Sequence, residues 1–183
     1  MSNVRIHVLY RALPTSDHEL IELRPIVQAD LKHWFEYLSM PVVYEHTSWN
    51  LSSVRDLANY VLAETSPTPE SLLRLAIADR ASGKLVGTVG FHSVSPQDRR
   101  AEIAYDLAPQ MWGKGLATSL VTLLVAWAHE HVGITRVQAT VLGTNRRSSA
   151  VLERCGFAFE GLLRSYRQVR WAPGDFRIYS HVT

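Results

Sequence analysis

The feature that most constrains this chain is the run Tyr105-Asp106-Leu107-Ala108-Pro109-Gln110-Met111-Trp112-Gly113-Lys114-Gly115-Leu116-Ala117-Thr118. A strand-like run ends at Leu107, Pro109 stops it, and a helical pattern starts at Leu116. Between them, Gly113 and Gly115 remove side chains that would screen backbone N–H groups. The first turn of the helix leaves N–H groups without intrahelical acceptors and carries the positive end of the helix dipole. Strand, glycine turn and helix start together make an anion seat, most often for phosphate. An ordinary strand-to-helix turn uses the same residues, so the rest of the chain has to decide.

The surroundings define a mixed fold. Residues 20–24, 72–79, 85–93 and 101–107 read as strands, and so do residues 4–10 at the start. Three of them, in antiparallel succession, lead into the glycine turn. Asp30 is a suitable N-cap for a helix over 31–38; Pro41 breaks the chain, and Ser52 or Ser53 caps a second helix reaching about Glu64. After the turn, Leu116, Leu120, Leu123 and Trp127 share one helix face, and Gly133 closes that helix. A strand over 135–142, a turn at Gly143-Thr144-Asn145 and a short helix from Ser148 to Cys155 follow. Strands over 157–163 and 177–182 complete the chain, joined by a polar, aromatic connection. The 183 residues, 46% hydrophobic and 20% charged, are read as one globular domain spanning 1–183.

Several function classes drop out. A net charge of +2, with Arg99-Arg100 and Arg146-Arg147 too sparse to form a basic stripe, argues against nucleic acid. No apolar run approaches the roughly 20 residues of a membrane span. The single cysteine, Cys155, forms no internal disulfide and is read as a packed thiol; with no basic-then-apolar segment at the start, the expected location is the cytoplasm. A Walker A loop needs Ser or Thr after Gly-Lys, where this chain has Gly115. A dinucleotide fingerprint beginning at Gly113 would need glycine at Thr118 and a parallel βαβ unit before it. His129 and His131 point to different helix faces, and no metal is expected.

The residues do resemble a known family. Leu-x-Pro-x-x-Trp-Gly-Lys-Gly-Leu-Ala-Thr over 107–118, followed by Asn145 through Phe157, looks like the GCN5-related N-acetyltransferases. Glu102-Ile-Ala-Tyr105 before the turn and Glu160-Gly161-Leu162-Leu163-Arg164 after it resemble the branch of ribosomal-protein N-terminal acetyltransferases. The resemblance implies an α/β/α sandwich: a mixed, mostly antiparallel sheet of six to seven strands flanked by about four helices and splayed at the acetyl-CoA site. It implies that backbone groups of Trp112, Gly113, Lys114, Gly115, Leu116, Ala117 and Thr118 bind the coenzyme A pyrophosphate. Lys114 then adds charge or is merely solvated. Leu107 is expected to pair its backbone with the pantetheine arm, and Asn145 to contact that arm, cap a helix, or both. Arg154 reaches the adenosine phosphate or is a solvated helix-end residue.

The implied reaction is direct attack of an amine on acetyl-CoA. Roughly one α-amino group in ten is neutral at pH 7, against about one lysine in 2500, so a lysine acceptor asks more of a base. Glu102 is the candidate base, acting through a water; a solvated strand-end carboxylate is the alternative. Ser148 matches a serine proposed to assist the thiol leaving group in ribosomal-type relatives, or is a first-turn helix residue. Two departures add weight to this pair: Thr140 and Leu152 stand where some members carry a glutamate and a tyrosine. Tyr44, Trp49, Tyr166, Trp171 and Phe176 either line the acceptor groove or form satellite core, whereas Trp34 and Phe35 are read as core. The expected partners are acetyl-CoA and an amine acceptor, a peptide N-terminus or a small amine, in a monomer or homodimer. A non-catalytic acyl-CoA sensor is the competing reading.

Overall fold

In the computed structural model, residues 13–62 and 73–183 are described; the strand read at 4–10 and the end of the second helix lie outside them. The strands are β1 (Ile21–Pro25), β2 (Leu73–Asp79), β3 (Leu85–Ser95), β4 (Arg100–Leu107), β5 (Arg136–Leu142), β6 (Ala158–Val169) and β7 (Ala172–Val182). They form one sheet in the order β1-β2-β3-β4-β5-β7-β6. Every neighbouring pair is antiparallel except β4 and β5, which run parallel. The α-helices among the described residues are α1 (Asp30–Leu38), α2 (Pro41–Tyr44), α3 (Asn59–Leu62), α4 (Leu116–Trp127) and α5 (Arg146–Arg154).

β2 and the first half of β3 are buried on both faces, which is why they read as near-continuous apolar runs. One face packs Leu75, Ile77, Val89, Phe91 and Ile103 against α4; the other packs Ala76 and Leu85 under Trp34, Leu38 and Leu57. The result is the expected helix–sheet–helix sandwich. In α4, Leu116, Leu120 and Leu124 are fully buried. At about 2 kcal/mol each, their burial fixes the start of the helix against the sheet. Val121 and Val125 are buried too, whereas Leu123, assigned to the core stripe from the sequence, is only half-buried. A π-helical turn, Ala128–Val132, extends α4 to Gly133, which has φ 76°.

The structure corrects four local expectations. Asp30 is not the N-cap of α1; Ala29 is, and the Asp30 carboxylate accepts bonds from the Val27 N–H at 2.9 Å and the Arg24 guanidinium at 2.6 and 2.8 Å. Pro41 does not simply break the chain: it opens α2, where its missing N–H costs nothing. The second helix is split into a 3-10 turn, Val54–Leu57, and α3; the Asp56 carboxylate accepts from the Ser53 N–H at 2.9 Å and starts it. The connection read between 163 and 177 is itself strand. β6 and β7 form a long hairpin that turns at Arg170 and Trp171, both at positive φ, with register shifts between Leu163 and Arg167.

Candidate active site

β4 and β5 pair only at Arg100↔Arg136, Ala101↔Val137 and Glu102↔Gln138. Beyond Glu102, β4 stays with β3 while β5 stays with β7, so the sheet opens as a wedge. Ala108 N–H donates to the Val86 carbonyl at 2.9 Å, on the β3 side. In an antiparallel ladder Leu107 therefore turns its own N–H and C=O toward the gap. Its carbonyl accepts the Trp112 indole N–H at 2.8 Å, leaving the Leu107 N–H for a strand-like ligand. Trp112 thus braces the strand end against the glycine turn. The Arg147 guanidinium lies 4.6 Å over its ring.

At the wide end of the wedge, the N–H groups of Gly113, Lys114, Gly115, Leu116, Ala117 and Thr118 have no acceptor among the described residues; the first helical donor is Ser119, to the Gly115 carbonyl at 3.1 Å. Gly115 is the N-cap at φ 74°, with no capping side chain, and Gly113 has φ 73°. A Cβ at either glycine would meet nothing within 4 Å. The open space and the row of free donors fit a pyrophosphate. Lys114 is exposed at this rim, and Arg154 is exposed at the end of α5 without a polar partner among the described residues. Asn145 caps α5, its Oδ1 accepting from the Ser148 N–H at 3.0 Å, and its side chain also lines the wedge.

The narrow end is a cavity of about 300 Å³. Glu102 is buried behind its wall, in contact with Thr140, Arg167 and His92, which line it. Its carboxylate accepts from Thr140 Oγ1 at 2.5 Å, Arg167 at 3.2 Å and Gln138 at 3.3 Å, and lies 3.1 Å from His92 Nε2. Burial pushes its pKa up, but the hydrogen bonds from His92 and Thr140, with the charge of Arg167, bring it down to about 2. Thr140, where other members carry glutamate, therefore completes the partner set of Glu102. Leu152, where others carry tyrosine, is buried in the core and cannot reach the cavity.

Ser148 sits across the wedge on α5. Its hydroxyl and the Tyr105 phenol are 2.8 Å apart, and the phenol also donates to the Ser148 carbonyl at 3.2 Å. Burial pushes the Tyr105 phenol well up, so it stays protonated at neutral pH. Tyr105 was legible only as a strand residue on the same face as Ile103 and Leu107; which helix hydroxyl it meets depends on how α5 docks.

A second buried cluster underlies the cavity. Asp106 accepts from Arg74 at 2.5 Å, Thr88 Oγ1 at 2.8 Å, the Trp34 indole at 3.2 Å and the Tyr37 phenol. The Thr88 hydroxyl in turn accepts from Arg74 Nε at 2.8 Å. The cluster ties α1 to β2, β3 and β4 beneath the acceptor end. Sequence reading missed it because its members lie up to 72 residues apart. The candidate aromatics divide. Trp49 lines the cavity edge-on to Trp34 and Tyr60; Phe176 is fully buried, Tyr166 half-exposed and Trp171 almost wholly exposed. Tyr44 packs under the Arg170 guanidinium at 4.9 Å. Cys155 is a half-buried thiol, with Sγ 3.5 Å from the Thr118 carbonyl.

Residues 21–158 match the acetyltransferase (GNAT) domain family. A Bacillus subtilis (strain 168) protein named uncharacterized N-acetyltransferase YoaA is 29% identical over 92% of this chain and 97% of its own length. The Escherichia coli (strain K12) ribosomal-protein-serine acetyltransferase is 25% identical over 54% of this chain and 55% of its own. The crystal structure of ribosomal-protein-S5-alanine acetyltransferase from Vibrio fischeri superposes with a TM-score of 0.76 at 19% identity, covering 92% of this chain and 96% of that one. The chain belongs to the GNAT acetyltransferase family. It is an N-acetyltransferase that takes its acetyl group from acetyl-CoA. No helix among the described residues is long and apolar enough to cross a membrane.

Proposed function

We propose that the 183-residue chain works as a single catalytic domain that acetylates the free N-terminus of a peptide, in the reducing cytoplasm where Cys155 stays a thiol. The observation that carries the reading is the wedge. A row of free N–H groups at Gly113 to Thr118 stands at one end, and the cavity in front of the buried Glu102 at the other. Coenzyme A laid along β4, with its pyrophosphate on the glycine turn and its pantetheine arm beside Leu107 and Asn145, directs its thioester toward Ser148 and Glu102. Ser148 then serves the departing thiolate and Glu102 the acceptor end, with Lys114 and Arg154 at the nucleotide rim. The chemistry needs no metal.

The charge balance of the cavity favours a singly charged acceptor. Both carboxylates are compensated, Asp106 by Arg74 and Glu102 by Arg167, so a polyamine finds no surplus negative charge. An α-amino group is also the amine most readily neutral at pH 7. The names of the serine and alanine acetyltransferases among the relatives point the same way. The test is release of coenzyme A thiol with mass spectrometry of the acceptor. Peptides with a free N-terminal serine or alanine should gain one acetyl group, whereas N-terminally blocked peptides with internal lysine, and spermidine, should not. Turnover of spermidine alone would refute the acceptor class. Tight acetyl-CoA binding with no turnover of any amine would favour a sensor.

A further inference from the structure

We propose that His92, held by Glu102, is the group that takes the proton from the attacking amine. This deepens the acetyl-transfer reading, on which it rests, by moving the proton from the carboxylate to the imidazole beside it.

The argument begins with the backbone. β3 and β4 are in register from Gly87↔Leu107 to Phe91↔Ile103, and then the register shifts so that the next pair is Ser93↔Glu102. His92 is the extra residue. A bulge removes one residue from the ladder and re-aims its side chain, which is why bulges recur beside active sites. Here His92 lines the cavity, as do Thr140 and Arg167, and all three contact the buried Glu102 behind them. Its Nε2 lies 3.1 Å from Glu102 Oε1, and the side chain is 27% exposed while the carboxylate is 7% exposed. Nδ1 has no protein partner among the described residues.

The remaining charged groups around this imidazole come from four other elements. Glu102 is on β4, Arg167 on β6, Arg74 on β2 and Asp106 on β4, with His46 just after α2. Arg74 and Asp106 are bonded to each other, and Arg167 to Glu102. Glu102 is surrounded by donors from Thr140, Gln138, Arg167 and His92, which leaves it a poor proton acceptor; holding its neighbour is the role its geometry permits. With Nε2 placed 3.1 Å from the carboxylate, the other ring nitrogen is the one left to meet an acceptor amine in the cavity that His92 lines. This is the arrangement of a base oriented by a third group.

The step balances as follows. The amine lone pair forms the N–C bond at the acetyl carbonyl, and the nitrogen's proton passes to His92 Nδ1. The C–S bond breaks, its electron pair leaves with sulfur, and sulfur is protonated at the Ser148 hydroxyl. His92 then releases its proton to solvent and Ser148 regains one. Free thiol and N-acetyl product result, with no other reactant consumed.

The test uses the full chain, acetyl-CoA and a peptide with a free N-terminal serine, read as kcat at saturating peptide across pH. His92→Gln should lower kcat by about 10²- to 10⁴-fold and abolish the acid limb of the profile, with acetyl-CoA affinity changed less than about twofold. Imidazole added to His92→Ala should restore part of the rate, which a purely structural role would not allow. Glu102→Gln should keep the acid limb, shifted in pH, with a reduced rate. Retention of more than about a third of the rate in His92→Gln, with the acid limb in place, would overturn the assignment. So would a rate loss in both histidine variants that imidazole does not relieve. Failure of the wild type to release thiol with any amine would overturn the acetyl-transfer reading along with it.

Discussion

Replacing Asp106 with Asn isolates the buried cluster beneath the acceptor cavity. The substitution keeps size and shape, and the remaining side-chain oxygen can still accept from Trp34 and Tyr37. What it removes is the charge that faces Arg74 at 2.5 Å, with both side chains about 95% buried. Breaking such a pair leaves an uncompensated buried cation and costs about 3–5 kcal/mol. For a domain of this size each kcal/mol moves Tm by roughly 2–4 °C, so Asp106→Asn should lower it by about 6–20 °C in thermal denaturation followed by circular dichroism. Arg74→Met placed on top of Asp106→Asn should recover part of the loss, because the orphaned cation is then gone. The two changes should couple by at least about 2 kcal/mol. A drop below about 3 °C in the single variant, or strict additivity in the double, would refute the view that this pair holds α1 to the sheet.

Three further outcomes follow from the site. Gly115→Val forces a branched side chain into φ 74°, costing about 1–2 kcal/mol of stability, and fills open space over the free N–H row. Coenzyme A affinity by calorimetry should fall at least tenfold while pantetheine affinity holds, and equal losses for both would argue against the pyrophosphate seat. Ser148→Ala should lower kcat by about 100-fold, the low end for proton-transfer catalysis, because a thiolate leaves readily; a rate unchanged across pH would take Ser148 out of the reaction. Glu102 has its folded pKa depressed from 4.5 to about 2, so its contribution is present above pH 4.5 and lost as pH falls toward 2. That contribution is about 3 kcal/mol, and Glu102→Gln should flatten the acid side of the stability curve measured by urea denaturation between pH 5 and 2.

The glycine turn was legible because its chemistry is local: Pro109 at one side, two glycines, then apolar spacing at helical period. The strands flanking it were legible for the same reason, within a residue or two. Residues 163–177 were not. Arg164, Arg167, Pro173 and Gly174 are turn-like and polar in sequence, and they become strand only because β6 and β7 pair across Arg167↔Gly174 and Val169↔Ala172. That hairpin delivers Arg167 to Glu102, and the β3 bulge delivers His92, so the acceptor end owes its chemistry to register rather than to spacing. Likewise, strand alternation places Glu102 and Asp106, four residues apart, on one face of β4. It gave no means of knowing that Arg74, 32 residues earlier, would neutralise one of them.

The central claim is that acetyl-CoA lies in the wedge between β4 and β5 with its pyrophosphate on the free N–H row. Amide chemical shifts of ¹⁵N-labelled protein titrated with coenzyme A test it directly. The account predicts saturable shifts concentrated at Gly113 to Thr118 and at Leu107, with pantetheine, which lacks the pyrophosphate, moving Leu107 but leaving Gly113 to Thr118 in place. Saturable binding that leaves Gly113 to Thr118 unshifted would contradict it.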